Sequence, residues 1–305
     1  MSSLFPKEEI MKKGILVKRM GGLCYVFWPE KNKVVECVYR GRHRLSKEDV
    51  FPGDRVAFTI PSENDRGVVE QVLDRTNLLA RPPVANVTQM ICVIALKSPN
   101  PNFLLLDKLL ATAGKMGLGA AICINKMDLV SPEKIHSTAQ MYKGLGYPVI
   151  ITSAKSKRGL GALARVLRGN LSVLAGQSGV GKSSLLNQLK PETDLRVGEI
   201  SPKLKSGKHT TKHVELIMLP DGGFVADTPG FSKLGVVAMA REEVSSFFPE
   251  LKSLQPQCRF SDCLHRSEPG CAVKAAVQCG SIFKHRYDNY LSILEEVISQ
   301  ERSYR

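Results

Sequence analysis

Long apolar runs are missing from this chain. The longest stretches of that kind, such as Met90 to Leu96, are far too short to span a bilayer. The first twenty residues hold no apolar run of signal-peptide length and carry Lys7, Glu8, Glu9, Lys12 and Lys13 instead. That argues against secretion, for the cytoplasm and against a membrane partner. Internal repeats and low-complexity segments are absent too. Acidic side chains are in short supply: 29 Asp and Glu face 43 Lys and Arg, giving a formal charge of +14 and a pI near 9.5. The deficit is local, with a net charge of +11 between residues 72 and 240, +3 before and zero after. A basic excess within the body of the chain suits a polyanionic partner such as nucleic acid.

What remains is an ordinary globular composition, 43% hydrophobic and 24% charged, over 305 residues, enough for two or three domains. Four of the eight cysteines, Cys24, Cys37, Cys92 and Cys123, sit among apolar neighbours and read as small buried hydrophobes. The other four, Cys258, Cys263, Cys271 and Cys279, crowd together near the C-terminus. In a cytoplasmic protein such crowding points to a metal rather than to disulfides.

Residues 14–72 read as five short strands, Gly14–Lys18, Leu23–Trp28, Lys33–Tyr39, Arg55–Ile60 and Gly67–Leu73. Gly21-Gly22, Pro52-Gly53-Asp54 and Asn64-Asp65 punctuate them. The pattern predicts a small β-barrel of the SH3-like or OB type. The loop Arg40-Gly41-Arg42-His43-Arg44 is densely basic, which fits phosphate contact. Arg81-Pro82-Pro83 reads as a linker. Beyond it strands and helices alternate: strand Met90–Leu96, helix Phe103–Met116, strand Ala120–Ile124, a helix near Pro132–Leu145 and strand Pro148–Thr152. A helix near Leu160–Leu167, strand Leu171–Ala175 and a helix from Lys182 follow. Alternation of this kind means an α/β domain with a mostly parallel sheet. His213–Leu219 and Gly223–Ala226 should pair as a hairpin across Asp221-Gly222. The C-terminal stretch is helical, with Tyr287, Tyr290, Leu291, Leu294, Val297 and Ile298 on one packing face.

The chemistry is carried by four motifs. Gly176-Gln177-Ser178-Gly179-Val180-Gly181-Lys182-Ser183, followed by Ser184, fits G-x-x-x-x-G-K-[ST] between a predicted strand and a predicted helix. The glycines let backbone N–H groups wrap phosphates, Lys182 offsets their charge in ground and transition state, and Ser183 ligates Mg²⁺. Asn125-Lys126-Met127-Asp128 closes an apolar strand and resembles the guanine-specificity motif of GTPases. Asp128 can accept from guanine N1–H and its exocyclic amine, whereas adenine offers no such donor pair. Ser153-Ala154-Lys155 ends the next strand, where GTPases place their second base-contacting loop. Asp227-Thr228-Pro229-Gly230 resembles switch II, whose Asp reaches Mg²⁺ through water and whose Gly N–H meets the γ-phosphate.

Their order is permuted: both base loops precede the phosphate loop, and switch II comes last. Gly207-Lys208-His209-Thr210-Thr211 occupies the place of switch I, where one of Thr210 or Thr211 supplies the Mg²⁺-ligating hydroxyl. Lys203, Lys205, Lys208 and Lys212 surround it, and no acid occurs from 200 to 214. Two familiar residues are missing. Phe231 follows Gly230 where Ras-like enzymes carry a water-orienting Gln, which leaves His209 as the nearest candidate to position the water. Gly179 stands where potassium-activated GTPases often carry Asn, so no potassium dependence is expected.

Cys258, Cys263, His265 and Cys271 offer three thiolates and an imidazole, a tetrahedral zinc set with no open position and hence structural. Cys279 is a fifth candidate that could replace His265, though a packed thiol fits it better. Glu268 and Asp262 read as surface groups.

Together these residues resemble the ribosome small-subunit-dependent GTPase A (RsgA) family over essentially the whole chain. The resemblance implies an N-terminal OB-fold RNA-binding domain (1–72), a circularly permuted P-loop GTPase domain (73–235) and a small helical zinc-binding domain (236–305). It also implies late maturation of the small ribosomal subunit, rRNA contact, and GTP hydrolysis stimulated by that subunit. Mg²⁺ with GTP and one structural Zn²⁺ per chain are the expected cofactors, and a monomer is the expected state. Two other classes compete with this reading. A P-loop ATPase or kinase conflicts with Asn125 to Asp128, and a nucleic-acid binder with a vestigial site conflicts with the intact Lys182, Ser183 and Asp227.

Base choice rests on one carboxylate. Asp128→Asn should weaken GTP binding by roughly 100-fold or more and improve binding of xanthosine triphosphate, because the amide donates where the carboxylate accepted. Competition binding with the two nucleotides checks this; an unchanged preference would remove Asp128 from base recognition.

Overall fold

The computed structural model describes residues 11–39, 49–61, 65–80, 83–190, 214–227 and 239–303. In chain order the strands are β1 (Lys12–Met20), β2 (Leu23–Trp28), β3 (Lys33–Tyr39), β4 (Arg55–Thr59), β5 (Gly67–Val72), β6 (Leu78–Ala80) and β7 (Pro83–Ala85). Then come β8 (Gln89–Ala95), α1 (Phe103–Lys115), β9 (Gly119–Asn125), α2 (Pro132–Gly144), β10 (Val149–Ile151), α3 (Leu160–Leu167) and β11 (Leu171–Ala175). The remainder is α4 (Lys182–Leu189), β12 (Glu215–Met218), β13 (Phe224–Asp227), α5 (Pro249–Leu254), α6 (Ala272–Gln278) and α7 (Lys284–Ser303). The chain divides into two compact units. One holds Met1–Val87, Leu167–Val173 and Lys190–Gly230; the other holds Thr88–Val166, Leu174–Leu189 and Phe231–Arg305.

In the first unit β1 to β5 close into a barrel of the OB type. β1 pairs antiparallel with both β2 and β4, β2 with β3, and β4 with β5, while β3 and β5 run parallel. Alternation along the strands turns Leu16, Cys24, Val26, Cys37, Val56 and Phe58 inward. Trp28 meets Phe58 edge to face, ring centroids 6.0 Å apart. Gly21 and Gly22, at φ +59° and +83°, make the tight β1–β2 turn that side chains would resist. Register shifts at Leu16/Lys18 and Ala57/Phe58 supply the curvature that closure demands. Cys24 and Cys37 are buried as the sequence indicated, and burial pushes the Cys37 thiol up to about 12.

The hairpin β12–β13 forms as predicted, with Leu216 opposite Ala226. It joins the barrel at Lys18 and Glu215, which also share an ion pair of 3.0 Å. Leu171–Val173 of β11 runs parallel to β13.

The stretch read as a linker runs into a strand: β7 begins at Pro83 and pairs antiparallel with β6. Polar side chains fix it. Asn77 and Asn86 bond across to the backbone of Val87 and Thr76, and Asn86 also donates to Gly53 O at 2.9 Å. The neighbouring turn is pinned by the fully buried Asp54, which accepts from Arg75 Nε at 2.6 Å and from Phe51 N at 2.8 Å.

In the second unit β10, β9 and β8 form a parallel sheet in that order. Every residue of β8 is buried, as expected of a strand covered on both faces. Helix α1 starts at Asn102, whose side chain accepts from Leu105 N at 2.8 Å. Ala111 and Leu104 of α1 belong to the same apolar core as Phe248, Leu251, Val273 and the α7 face Tyr290, Leu294 and Val297. The C-terminal helices are therefore packed onto α1 rather than strung behind it. No helix among the described residues is long and apolar enough to cross a membrane.

Gly53 gives the sharpest test of this framework. Its φ is +95°, and an added Cβ would lie 2.0 Å from Ala85 O. Gly53→Ala should cost roughly 1–3 kcal/mol from the backbone strain alone, and the clash adds to it. Urea unfolding of the variant measures the loss.

Candidate active site and metal centre

β11 delivers the chain into the phosphate loop, and two glycines there have no alternative. Gly176 has φ +149°, and a Cβ on it would stand 2.1 Å from Val93 O. Gly181, at φ +99°, would place a Cβ 2.4 Å from Asn125 Nδ2. Lys182 opens α4, half-buried, and donates to Gly176 O at 2.7 Å and Gln177 O at 3.0 Å. Burial pushes its ammonium pKa down. Ser183 and Ser184 are exposed on the first turn, where free helical N–H groups and side-chain hydroxyls suit an anion and its counter-ion.

Asn125 ends β9 and is almost wholly buried. Its amide nitrogen donates to Val180 O in the phosphate loop at 2.9 Å. Its carbonyl oxygen accepts from Thr152 Oγ1 at 3.1 Å and from Ala154 N at 3.2 Å. One side chain thus joins three segments distant in sequence. Lys126, in the left-handed region at φ +62°, donates to Gly179 O at 2.7 Å and to Ser98 O at 2.5 Å. Asp128 stays exposed at the rim and accepts from Ser153 Oγ at 2.5 Å, while Ser153 Oγ itself accepts from Ser156 N at 3.0 Å. The Ser153 hydroxyl chiefly holds the Asp128 carboxyl below the ordinary carboxylate range, with help from its own backbone N–H and from Lys155 and Lys126. It therefore remains an acceptor down to acidic pH. Met127 N bonds to Thr152 O at 3.1 Å, which fixes the turn that presents Asp128.

The structure brings together Asn125, Lys126, Met127, Asp128, Ser153, Ala154 and the loop from Gly176 to Ser183 within one unit. Asp227 closes β13 opposite Glu215 in the other unit. His209, Thr210, Thr211, Gly230, the surrounding lysines and the loop of Arg40, Arg42 and Arg44 lie outside the described residues. Thr152 was missed from sequence. It is fully buried, touches Cys123 Sγ at 3.2 Å and buttresses Asn125. Its signal was a hydroxyl at the end of an otherwise apolar strand.

The second cluster lies at the C-terminal end. Cys258 Sγ, Cys263 Sγ, His265 and Cys271 Sγ place their ligand atoms within 4.8 Å of one another and could hold a metal ion. His265 Nδ1 lies 3.6 Å from Cys258 Sγ and 3.4 Å from Cys271 Sγ, and the two sulfurs are 4.0 Å apart. With zinc bonds of about 2.3 Å to sulfur and about 2.0–2.1 Å to nitrogen, a tetrahedron has edges of roughly 3.5–3.8 Å, so the residues fit.

The ligand loop is held from three directions. The Glu268 carboxylate accepts from Leu264 N, Arg266 N and Ser267 N at 2.7–3.0 Å. Burial raises its pKa, but these backbone donors outweigh that and leave it lowered. Glu268 is thus a loop organiser, not a bystander at the surface. Tyr287 and Tyr290 of α7 donate to His265 O and Leu264 O, each at 2.6 Å. Cys279 is not a packed thiol: it is exposed at the end of α6, 3.2 Å from Ser281 Oγ, and outside the cluster. The helix stops one residue before it and turns its side chain to solvent.

Residues 72–237 match the RsgA GTPase family and residues 13–69 the RsgA N-terminal domain. The small ribosomal subunit biogenesis GTPase RsgA of Moorella thermoacetica is 49% identical over 96% of this chain and 99% of its own. The protein of that name from Bacillus velezensis is 41% identical over 96% and 100%. Among solved structures, YjeQ from Thermotoga maritima superposes with a TM-score of 0.81 at 39% identity, covering 95% of this chain and 99% of that one. YloQ, described as a circularly permuted GTPase, gives 0.81 at 34% identity over 98% and 99%. The permuted motif order and the N-terminal barrel agree with these matches, and the chain belongs to the RsgA GTPase family.

Proposed function

We propose that this chain is a GTP hydrolase that binds the small ribosomal subunit through its rRNA and acts in the late maturation of that subunit. The observation that carries the guanine-nucleotide part is the position of Asn125. It ties the phosphate loop to the second base loop, while Asp128 is held ionised and outward a few residues on. Phosphates would lie against the N–H groups of Gly179 to Ser183, with Lys182 turning from the loop carbonyls to meet them. Ser183, Asp227 and one of Thr210 or Thr211 would hold Mg²⁺, whose chemistry is to offset phosphate charge. The basic excess supports rRNA as the partner, and its counterion release would make binding steeply salt-dependent. We read residues 1–72 as the RNA-binding barrel, 73–235 as the GTPase domain and 236–305 as the zinc domain of a cytoplasmic monomer.

Zinc fits the cysteine cluster because three thiolates and an imidazole are a soft, closed set. The protein as purified should contain one zinc per chain by elemental analysis. Cys258→Ser/Cys263→Ser should lose it along with the order of the ligand loop from Cys258 to Cys271, while the helices that share an apolar core with α1 stay packed.

Hydrolysis tests the function itself. With Phe231 beside Gly230, the free enzyme lacks a water-orienting amide and should turn over slowly, and purified small subunits should raise the rate by positioning existing groups. His209→Ala should lose most of the stimulated rate while keeping GTP affinity and subunit binding. Turnover that is the same with and without subunits would contradict the proposed function. A stimulated rate retained by His209→Ala would remove His209 alone.

A further inference from the structure

The GTPase helix α1 carries an acid in an unusual place. Asp107 is buried to 1% exposure, yet it has three partners: Arg286 Nη1, Asn289 Nδ2 at 2.7 Å and Tyr142 Oη at 3.1 Å. Arg286, also 1% exposed, is the largest fully buried side chain described. Its guanidinium forks onto Glu250 at 2.7 and 3.2 Å and lies over the Phe248 ring, 4.7 Å from the centroid. A guanidinium so placed joins four elements at once: α1 through Asp107, α2 through Tyr142, α5 through Glu250, and its own α7. The phosphate and base motifs require none of these groups.

Both ends of this network lead to a site. On α1, Leu105, Leu106 and Leu109 face Gly176, Gln177 and Val180 of the phosphate loop across a small cavity. On α7, the residue after Arg286 is Tyr287, which together with Tyr290 holds the backbone of the metal-ligand loop at His265 and Leu264. Lys115 at the far end of α1 adds a 2.7 Å ion pair to Glu243. Removing one partner of a buried ion pair strands the other, so α1 and α7 cannot shift independently without that cost. The helix that lines the phosphate loop and the helix that holds the metal-ligand loop are thus joined through one buried network.

We propose that Arg286 is a positioning residue through which the zinc loop and the phosphate loop are thermodynamically coupled, so that metal binding tightens nucleotide binding. The inference rests on zinc as the occupant of the cysteine cluster. Linkage then requires reciprocity: nucleotide must raise zinc affinity by the same factor by which zinc raises nucleotide affinity.

The test uses the full chain. Apparent zinc affinity is measured by competition with a chromophoric chelator, with and without a saturating non-hydrolysable GTP analogue. Affinity for the same analogue is measured by displacement of fluorescent GDP, with zinc bound and after its removal. Both should change by one common factor of about fivefold or more. Arg286→Lys keeps the charge but not the fork on Glu250, and Tyr287→Phe/Tyr290→Phe removes the two hydroxyls on the ligand loop. Each should retain zinc and bring the factor toward one. A purely structural role would lower Tm in these variants and leave the factor unchanged, which would overturn the proposal. If Arg286→Lys fails to fold, the wild-type factor and the tyrosine pair decide. A zinc-containing wild type with a factor of one overturns the coupling alone, and a protein purified without zinc overturns the coupling and the metal assignment together.

Discussion

The proposed guanine-nucleotide site depends on the absence of one side chain beside another. Asn125 reaches Val180 O only because Gly181 has no Cβ, and the space that atom would need is 2.4 Å from the Asn125 amide nitrogen. From that contact the rest follows. Asn125 gathers Thr152 and Ala154, Thr152 O fixes Met127, and Ser153 then meets Asp128. The loops proposed to select the base and to hold the phosphates are thereby one hydrogen-bonded body. This also explains why chain order is immaterial to it. The contacts are between strand ends and loops brought together by the sheet, so a permuted chain that keeps the strands keeps the site.

The C-terminal helices belong to the same body. They share a core with α1 and are joined to it by the charged cluster around Arg286. Burying a guanidinium and two carboxylates adds little net stability over an apolar core. What it supplies is uniqueness of position, since the fork on Glu250 and the contact to Asp107 are satisfied in only one placement of α7. The ligand loop, held by Tyr287, Tyr290 and Glu268, is built on that placement.

Much of this was legible in the sequence where local signals and tertiary demands coincide. The barrel strands were readable because alternation and Gly-rich turns carry both the strand period and its ends. The α/β elements were readable because β8 and β9 are almost entirely apolar and β9 ends on the polar Asn125 motif. The β6–β7 pair was not, because a Pro-Pro dipeptide reads as a break and its support comes from Asn77 and Asn86, whose partners lie about ten residues away or beyond. Thr152 was hidden as an ordinary strand residue. Arg286 and Asp107, 179 positions apart, carry no motif and look like surface charges on amphipathic helices. Only the fold shows that they face each other. Cys279 differs from the packed thiol expected of it because α6 ends at Gln278 and leaves it exposed.

A crystal structure with GDP and Mg²⁺ bound tests the account most directly. It should place guanine N1 and the exocyclic amine within about 3.2 Å of the Asp128 carboxylate. Lys182 Nζ should have left Gly176 O and Gln177 O for the β-phosphate, with Asn125 still bonded to Val180 O. A base bound away from Asp128, or a Lys182 still on the loop carbonyls with nucleotide present, would contradict the account.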